Sequence, residues 1–150
     1  MKQPILKKFC RRYRKRLEGC FNVLTVMQPY ASMLVEGVKG YEFRSYPIPK
    51  CFIGEPILIH AGARILKPRV KVSEETYNYY LNEVKKNNLF KCIIGVVVFG
   101  ESELSDAPIF TGYRWPVREF RRTGFPIRDI RGQQGIWKLG LSSPIKTQEL

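Results

Sequence analysis

Residues Gly37-Val-Lys-Gly-Tyr-Glu-Phe-Arg44 decide how this chain is read. A short helix-like run precedes them, and Gly37 is placed to close it, because glycine readily adopts the left-handed conformation that ends a helix. A strand is then expected. Side chains two apart on a strand share a face, so Glu42 and Arg44 should point the same way, with Lys39 on the turn leading into them. A carboxylate between two cations can hold a polar ligand, or it can be a surface ion pair beside a loop lysine.

Working outward, the chain has 150 residues, enough for one domain with a real core. Its formal net charge is +13. That balance favours an anionic partner, most simply nucleic acid, against the alternative of a solubilising halo. No stretch approaches the ~20 apolar residues of a membrane span. Cysteines stand at 10, 20, 51 and 92 without a Cys-x-x-Cys pair, and there is one histidine, so no metal site and no cofactor are expected. Cys51 and Cys92 lie in apolar stretches and are expected to be buried thiols. Cysteine usage suits a reducing compartment, and the basic start has no apolar h-region after it. An intracellular location is therefore expected, with organellar import as the lesser alternative.

The longer segment Val26-Met-Gln-Pro-Tyr-Ala-Ser-Met-Leu-Val-Glu-Gly-Val-Lys-Gly-Tyr-Glu-Phe-Arg44 resembles the signature of the ASCH domain family, of the PUA-like superfold. That signature is a Gln-Pro-aromatic-Ala-Ser opening followed by Gly-x-Lys-x-x-Glu-x-Arg. Ile57-Leu-Ile-His-Ala61 is similar to the family's next strand, and Gly135-Ile-Trp-Lys-Leu139 to its closing strand. The resemblance covers about residues 21 to 140. It implies an α+β fold, a small PUA-like β-barrel with flanking helices and a cleft beside the motif. It also implies binding of RNA or DNA. The nucleic-acid-binding candidates at or near that cleft are Gln28, Tyr30, Ser32, Lys39, Glu42, Arg44, His60 and Trp137, with Tyr30 and Trp137 either stacking faces or core. Some small bacterial relatives are amidohydrolases acting on acylated cytidine. They carry threonine where this chain has Glu42, which removes their candidate nucleophile.

Residues 1–20 read as a basic tail, carrying +7 of the +13, with eight basic residues against Glu18. Leu6, Cys10, Tyr13 and Leu17 recur at helical spacing, so the tail is a candidate amphipathic helix. Nucleic-acid contact, membrane-surface attachment, a targeting address and a disordered solubilising tail all fit that pattern.

Residues 21–140 are read as the domain, and 141–150 as a frayed C-terminal tail. Asn22–Val26 reads as a strand. Pro29 suits the first turn of a helix, with Tyr30, Met33 and Leu34 on one face. Gly54–Ala61 contains a strand with Pro56 near its start. Ser73 is placed to cap a helix from Glu74 to Lys86, closed by Asn87 and Asn88. Cys92–Gly100 is β-branched and apolar, as a buried central strand should be. Glu101–Asp106 reads as an acidic loop, and Phe110–Arg131 as irregular, because glycines and prolines interrupt it. Ile136–Leu139 is the last strand. With strands outnumbering helices and no βαβ rhythm, a small mixed barrel with flanking helices is expected.

Two functional classes lead. In the first, a binding module, Arg64, Lys67, Arg69 and Lys71 form a basic run. Arg114, Arg118, Arg121 and Arg122 interleave with Trp115, Phe120 and Phe125, as phosphate contacts between stacking faces. Core aromatics with solvated arginines are the alternative. In the second, a hydrolase, Lys39 would be base or nucleophile and Glu42 a proton shuttle, with Glu101 or Glu103 as a further carboxylate. His60 is either a structural histidine at a strand end or a cleft acid or base. A third class is a scaffold or coregulator-type domain that docks a protein partner through its tail. The expectation is an RNA- or DNA-binding module, RNA ahead of DNA.

Overall fold

The computed structural model describes residues 4–13, 17–68, 72–105 and 112–145. The elements run α1 (Pro4–Arg12), β1 (Leu17–Gln28), α2 (Tyr30–Val35), β2 (Tyr41–Arg44), β3 (Pro56–Ile65), α3 (Glu74–Lys86), β4 (Cys92–Phe99), β5 (Glu103–Ser105), β6 (Gly112–Ile127) and β7 (Ile136–Ile145). The strands form one curled half-barrel sheet in the order β2-β6-β4-β3-β1-β7, with β5 also paired to β6. The pair β1–β3 is parallel, joined through α2 and β2, and the rest are antiparallel. This is a small α+β protein, mostly strand, with three α-helices among the described residues.

Both faces of the sheet are covered, and the sequence of β4 states it: all eight residues are buried. Cys92, Ile94, Val97 and Phe99 join Leu24, Ile57, Ile59, Trp115, α2 and α3 on one face. Ile93, Val96 and Val98 join Val23, Leu58, Trp137 and the Leu6–Cys10 side of α1 on the other. A strand buried on both sides loses the apolar–polar alternation of a half-exposed one, which is why it reads as a continuous apolar run.

The helix ends form where the residue types predict. Ser73 Oγ accepts from the Thr76 N–H at 3.1 Å, and Asn88 adopts a positive φ beyond the last turn of α3. Gly37 follows α2 at φ +74°, and a Cβ there would overlap the Phe120 ring. Two constraints, conformation and space, therefore require glycine at that turn.

Several expectations are corrected. The stretch read as an acidic loop contains a short strand, β5 (Glu103–Ser105), paired to β6. The stretch read as irregular contains a 16-residue strand, β6 (Gly112–Ile127). Its prolines and glycines fall where a partner strand ends or a bulge interrupts the register. Pro116 stands opposite Tyr41, at the start of β2, and its carbonyl accepts from Gly100. Gly124 and Pro126 lie in a bulge, where Ile93–Gly95 of β4 faces Ile127–Arg122. Cys51 is exposed, because a short 3-10 turn over Lys50–Phe52 carries it outward, whereas Cys92 is buried. The chain is also strand beyond Gly140, through Ile145.

The N-terminal segment is packed onto the sheet. Leu6 and Cys10 are buried in the second apolar cluster, and the Leu6 N–H donates to the buried Glu119 carboxylate at 3.0 Å. Strand β1 already begins at Leu17, so residue 20 lies inside it. The exposed side of α1 carries Lys7, Lys8, Arg11 and Arg12.

Candidate functional site

Lys39, Glu42 and Arg44 come together as their spacing predicts. Lys39 Nζ lies 2.8 Å from Glu42 Oε1, and Arg44 Nη2 lies 2.8 Å from Glu42 Oε2. Lys39 and Glu42 are 7% and 4% exposed. Burial alone pushes the Glu42 carboxyl up, but the charges and hydrogen bonds of Lys39 and Arg44 outweigh it and hold the group below its ordinary value. Lys39 also sits over the Tyr30 and Phe43 rings. The cluster is a compact, internally satisfied network in which the carboxylate is occupied by its two cations.

Arg44 does a second thing. Its Nη2 donates to the Thr25 backbone carbonyl at 2.9 Å. The sheet order puts β2 four strands from β1, about 19 Å in a flat sheet at the usual spacing. No single side chain reaches that far, so the bond exists because the sheet curls and brings its β2 edge round to β1. Tyr46 and Gly135 approach at the same seam.

Thr25 leads from the seam to the histidine. Trp137 Nε1 lies 3.1 Å from Thr25 Oγ1, and that oxygen lies 3.1 Å from His60 Nδ1. Indole N–H can only donate, so the Thr25 hydroxyl accepts from it and turns its own proton to Nδ1. His60 Nε2 then carries the proton and donates to the Ile130 carbonyl at 2.6 Å. Burial pushes the His60 pKa down, partly offset by the Ile130 bond, in keeping with a neutral ring.

Beside this chain opens a groove of about 820 Å³. Its walls include Arg64 from β3, Lys91 before β4, and the 129–134 segment with Arg131, Gln133 and Gln134. Four bonds fix that segment and its approach. Arg128 donates to the Asn87 and Asn88 carbonyls at 2.9 and 2.7 Å, against the C-terminal end of α3. The Ile130 N–H donates to Lys91 O at 3.0 Å, and its carbonyl accepts from His60.

The other sequence-derived candidates are dispersed. Gln28 is wholly buried, donating to Leu89 O and accepting from the Ser32 N–H, so it pins α2 to the core. Tyr30 and Ser32 are buried as well, as is Trp115 of the expected stacking residues. Phe120 packs against the core. Arg121 and Arg122 are adjacent but serve opposite faces: Arg121 lies by Cys10 under α1, and Arg122 pairs with Glu36 at 3.0 Å. Arg114 lies 3.6 Å from Glu103, and Arg118 is exposed. Arg64 and Lys67 are exposed on the outgoing end of β3, and Arg69 and Lys71 lie outside the described residues. Among the described residues no cluster of three His, Cys, Asp or Glu is placed to hold a metal, and no helix is long and apolar enough to cross a membrane.

Thr25, Lys91 and, apart from Arg131 of the arginine-rich segment, the 129–134 wall escape a reading of the sequence. A lone threonine in a strand and a loop with one aspartate carry no spacing signal, and only the curl of the sheet brings them to His60.

No family model matches the chain. No curated protein matches it either.

Proposed function

We propose that this chain is a nucleic-acid-binding module of the PUA-like ASCH type, with RNA ahead of DNA as ligand. The observation that carries the reading is the distribution of cations around one face of the sheet. Lys7, Lys8 and Arg11 lie on the outer side of α1, which covers one end of that face. Arg64, Lys91 and Arg131 ring the groove at His60. Among the described residues none of these six is held in an ion pair. Cations left without carboxylate partners are what a phosphate backbone needs.

The resemblance carried by Val26–Arg44, Ile57–Ala61 and Gly135–Leu139 supports the same reading, for RNA and DNA alike. In this reading the Lys39–Glu42–Arg44 network holds the seam in shape, and the free cations contact the strand. Lys39 is tied to Glu42, and Glu42 to two cations, which leaves neither group free to start hydrolysis.

The test is fluorescence anisotropy on labelled single- and double-stranded RNA and DNA over a salt series. Affinity should fall steeply with salt, with a log–log slope of several units, because each neutralised phosphate releases about one counterion. Absence of binding to every strand at low salt rejects the module.

A further inference from the structure

We infer that the groove beside His60 takes one unpaired nucleotide of a strand, its base inside the groove and its phosphate on Arg64 and Arg131. This rests on the nucleic-acid reading above. The groove is a separate place from the Lys39–Glu42–Arg44 cluster, none of whose side chains lines it.

Four observations carry the inference. The volume of about 820 Å³ falls in the range of small-ligand sites, commonly ~300–1,000 Å³, and is far too small for a duplex. The floor is apolar and open: Met27 is 41% exposed there, a large thioether left to solvent, with Gly62 and Ala63 beside it. Exposed, polarizable surface of that kind suits the face of a base. Arg64, Lys91 and Arg131 against the single carboxylate of Asp129 make the rim cationic. The Gln133 and Gln134 amides each offer donors and an acceptor, the pairing groups of an exposed base edge.

The wall is also preformed. Ile130 is held at both its N–H and its carbonyl, and Arg128 is clamped to the end of α3. Gly132 lets the wall close on the strands, since a Cβ there would stand 3.0 Å from both the His60 ring and Thr25 Oγ1. A fixed wall avoids the ordering cost of a mobile loop on binding. Bases in a duplex are turned inward and stacked, so only an unpaired nucleotide can enter while its neighbours' phosphates lie on the rim.

The test uses the full chain and one short fluorescein-labelled RNA, single-stranded or annealed to its complement. Ala63→Trp fills the floor without altering charge, at an exposed position. Arg64→Glu reverses a rim charge. Single-strand affinity should fall about tenfold or more in both variants, the size expected from losing one stacked base. Duplex affinity should change less than about twofold in Ala63→Trp, because phosphates alone carry it. Melting curves identify any variant that fails to fold, and Gln133→Ala then substitutes for it, with the same loss expected. Excess free nucleoside monophosphate should displace the strand poorly, because it offers one phosphate where the strand sets several against the free cations.

Unchanged single-strand affinity in folded Ala63→Trp and Arg64→Glu overturns the groove while leaving binding by the module intact. Displacement by monophosphate at equal concentration overturns the strand as ligand in favour of a free nucleotide. Failure of the unaltered protein to bind either form overturns both the groove and the module.

Discussion

Arg44 and Thr25 meet across the seam of the curled sheet, the guanidinium donating to the Thr25 carbonyl at 2.9 Å. Arg44 stands on an edge strand, and Thr25 on a strand at the far side of the sheet order. Glu42 accepts from Arg44 Nε at 3.0 Å and so aims the guanidinium at the seam. The same Thr25 presents its hydroxyl to His60 and Trp137. One residue therefore couples the charged cluster of the sequence motif to the groove.

Replacing Glu42 by Ala should destabilise the protein by about 3–5 kcal/mol, because it leaves Lys39 buried without its partner. The double change Lys39→Met with Glu42→Leu should recover much of that loss, since no charge is then stranded. Urea unfolding of Lys39→Met, Glu42→Leu and the double gives the coupling. Additive losses would mean that the pair is not a unit.

Acid should weaken the fold in two stages. The His60 pKa lies below its ordinary 6.5 in the fold, so the unfolded chain binds a proton more readily. Stability is full above about 6.5 and falls as pH drops from there toward the folded value. Glu42, held below its ordinary 4.5, adds stability above that value that is lost on further acidification through its folded pKa. Melting temperature against pH should show both declines, and His60→Gln should flatten the upper one. An unaltered upper decline in His60→Gln would assign it to another group.

Charge and packing on α1 should separate. Leu6→Ala should cost about 2–5 kcal/mol, because the side chain is buried in the second apolar cluster. Lys7→Gln with Arg11→Gln should leave the melting temperature nearly unchanged, as both side chains are exposed, while lowering the salt slope of RNA binding by about two units. Truncating the chain before β1 would mix the two effects.

Gly37→Ala should destabilise by more than about 1 kcal/mol. The residue sits at φ +74° and its Cβ would overlap Phe120. Phe120→Leu, made together with it, should recover the steric part but not the conformational part, and thermal unfolding of both variants measures the split.

Much of the fold was legible because its signals are local. The Ser73 cap, the closing asparagines of α3, the apolar run of β4 and the glycine after α2 each express a short-range rule of backbone or burial. The spacing of Glu42 and Arg44 likewise placed both on one face. Residues 112–127 misled for the same reason. Their prolines and glycines read as breakers, but a strand tolerates them where a partner ends or a bulge falls, and both depend on the neighbouring strands.

By itself, then, the sequence determined the element types, the excess of cations and the pairing of Lys39, Glu42 and Arg44. Only the tertiary structure decided that Arg44 closes a seam onto Thr25, that α1 packs over the second face, and that Lys91 and the 129–134 segment meet His60. Local conformation is set by neighbours in the chain, whereas the groove arises from the curl of a sheet whose paired strands are distant in sequence. Its residues have no common spacing to betray them.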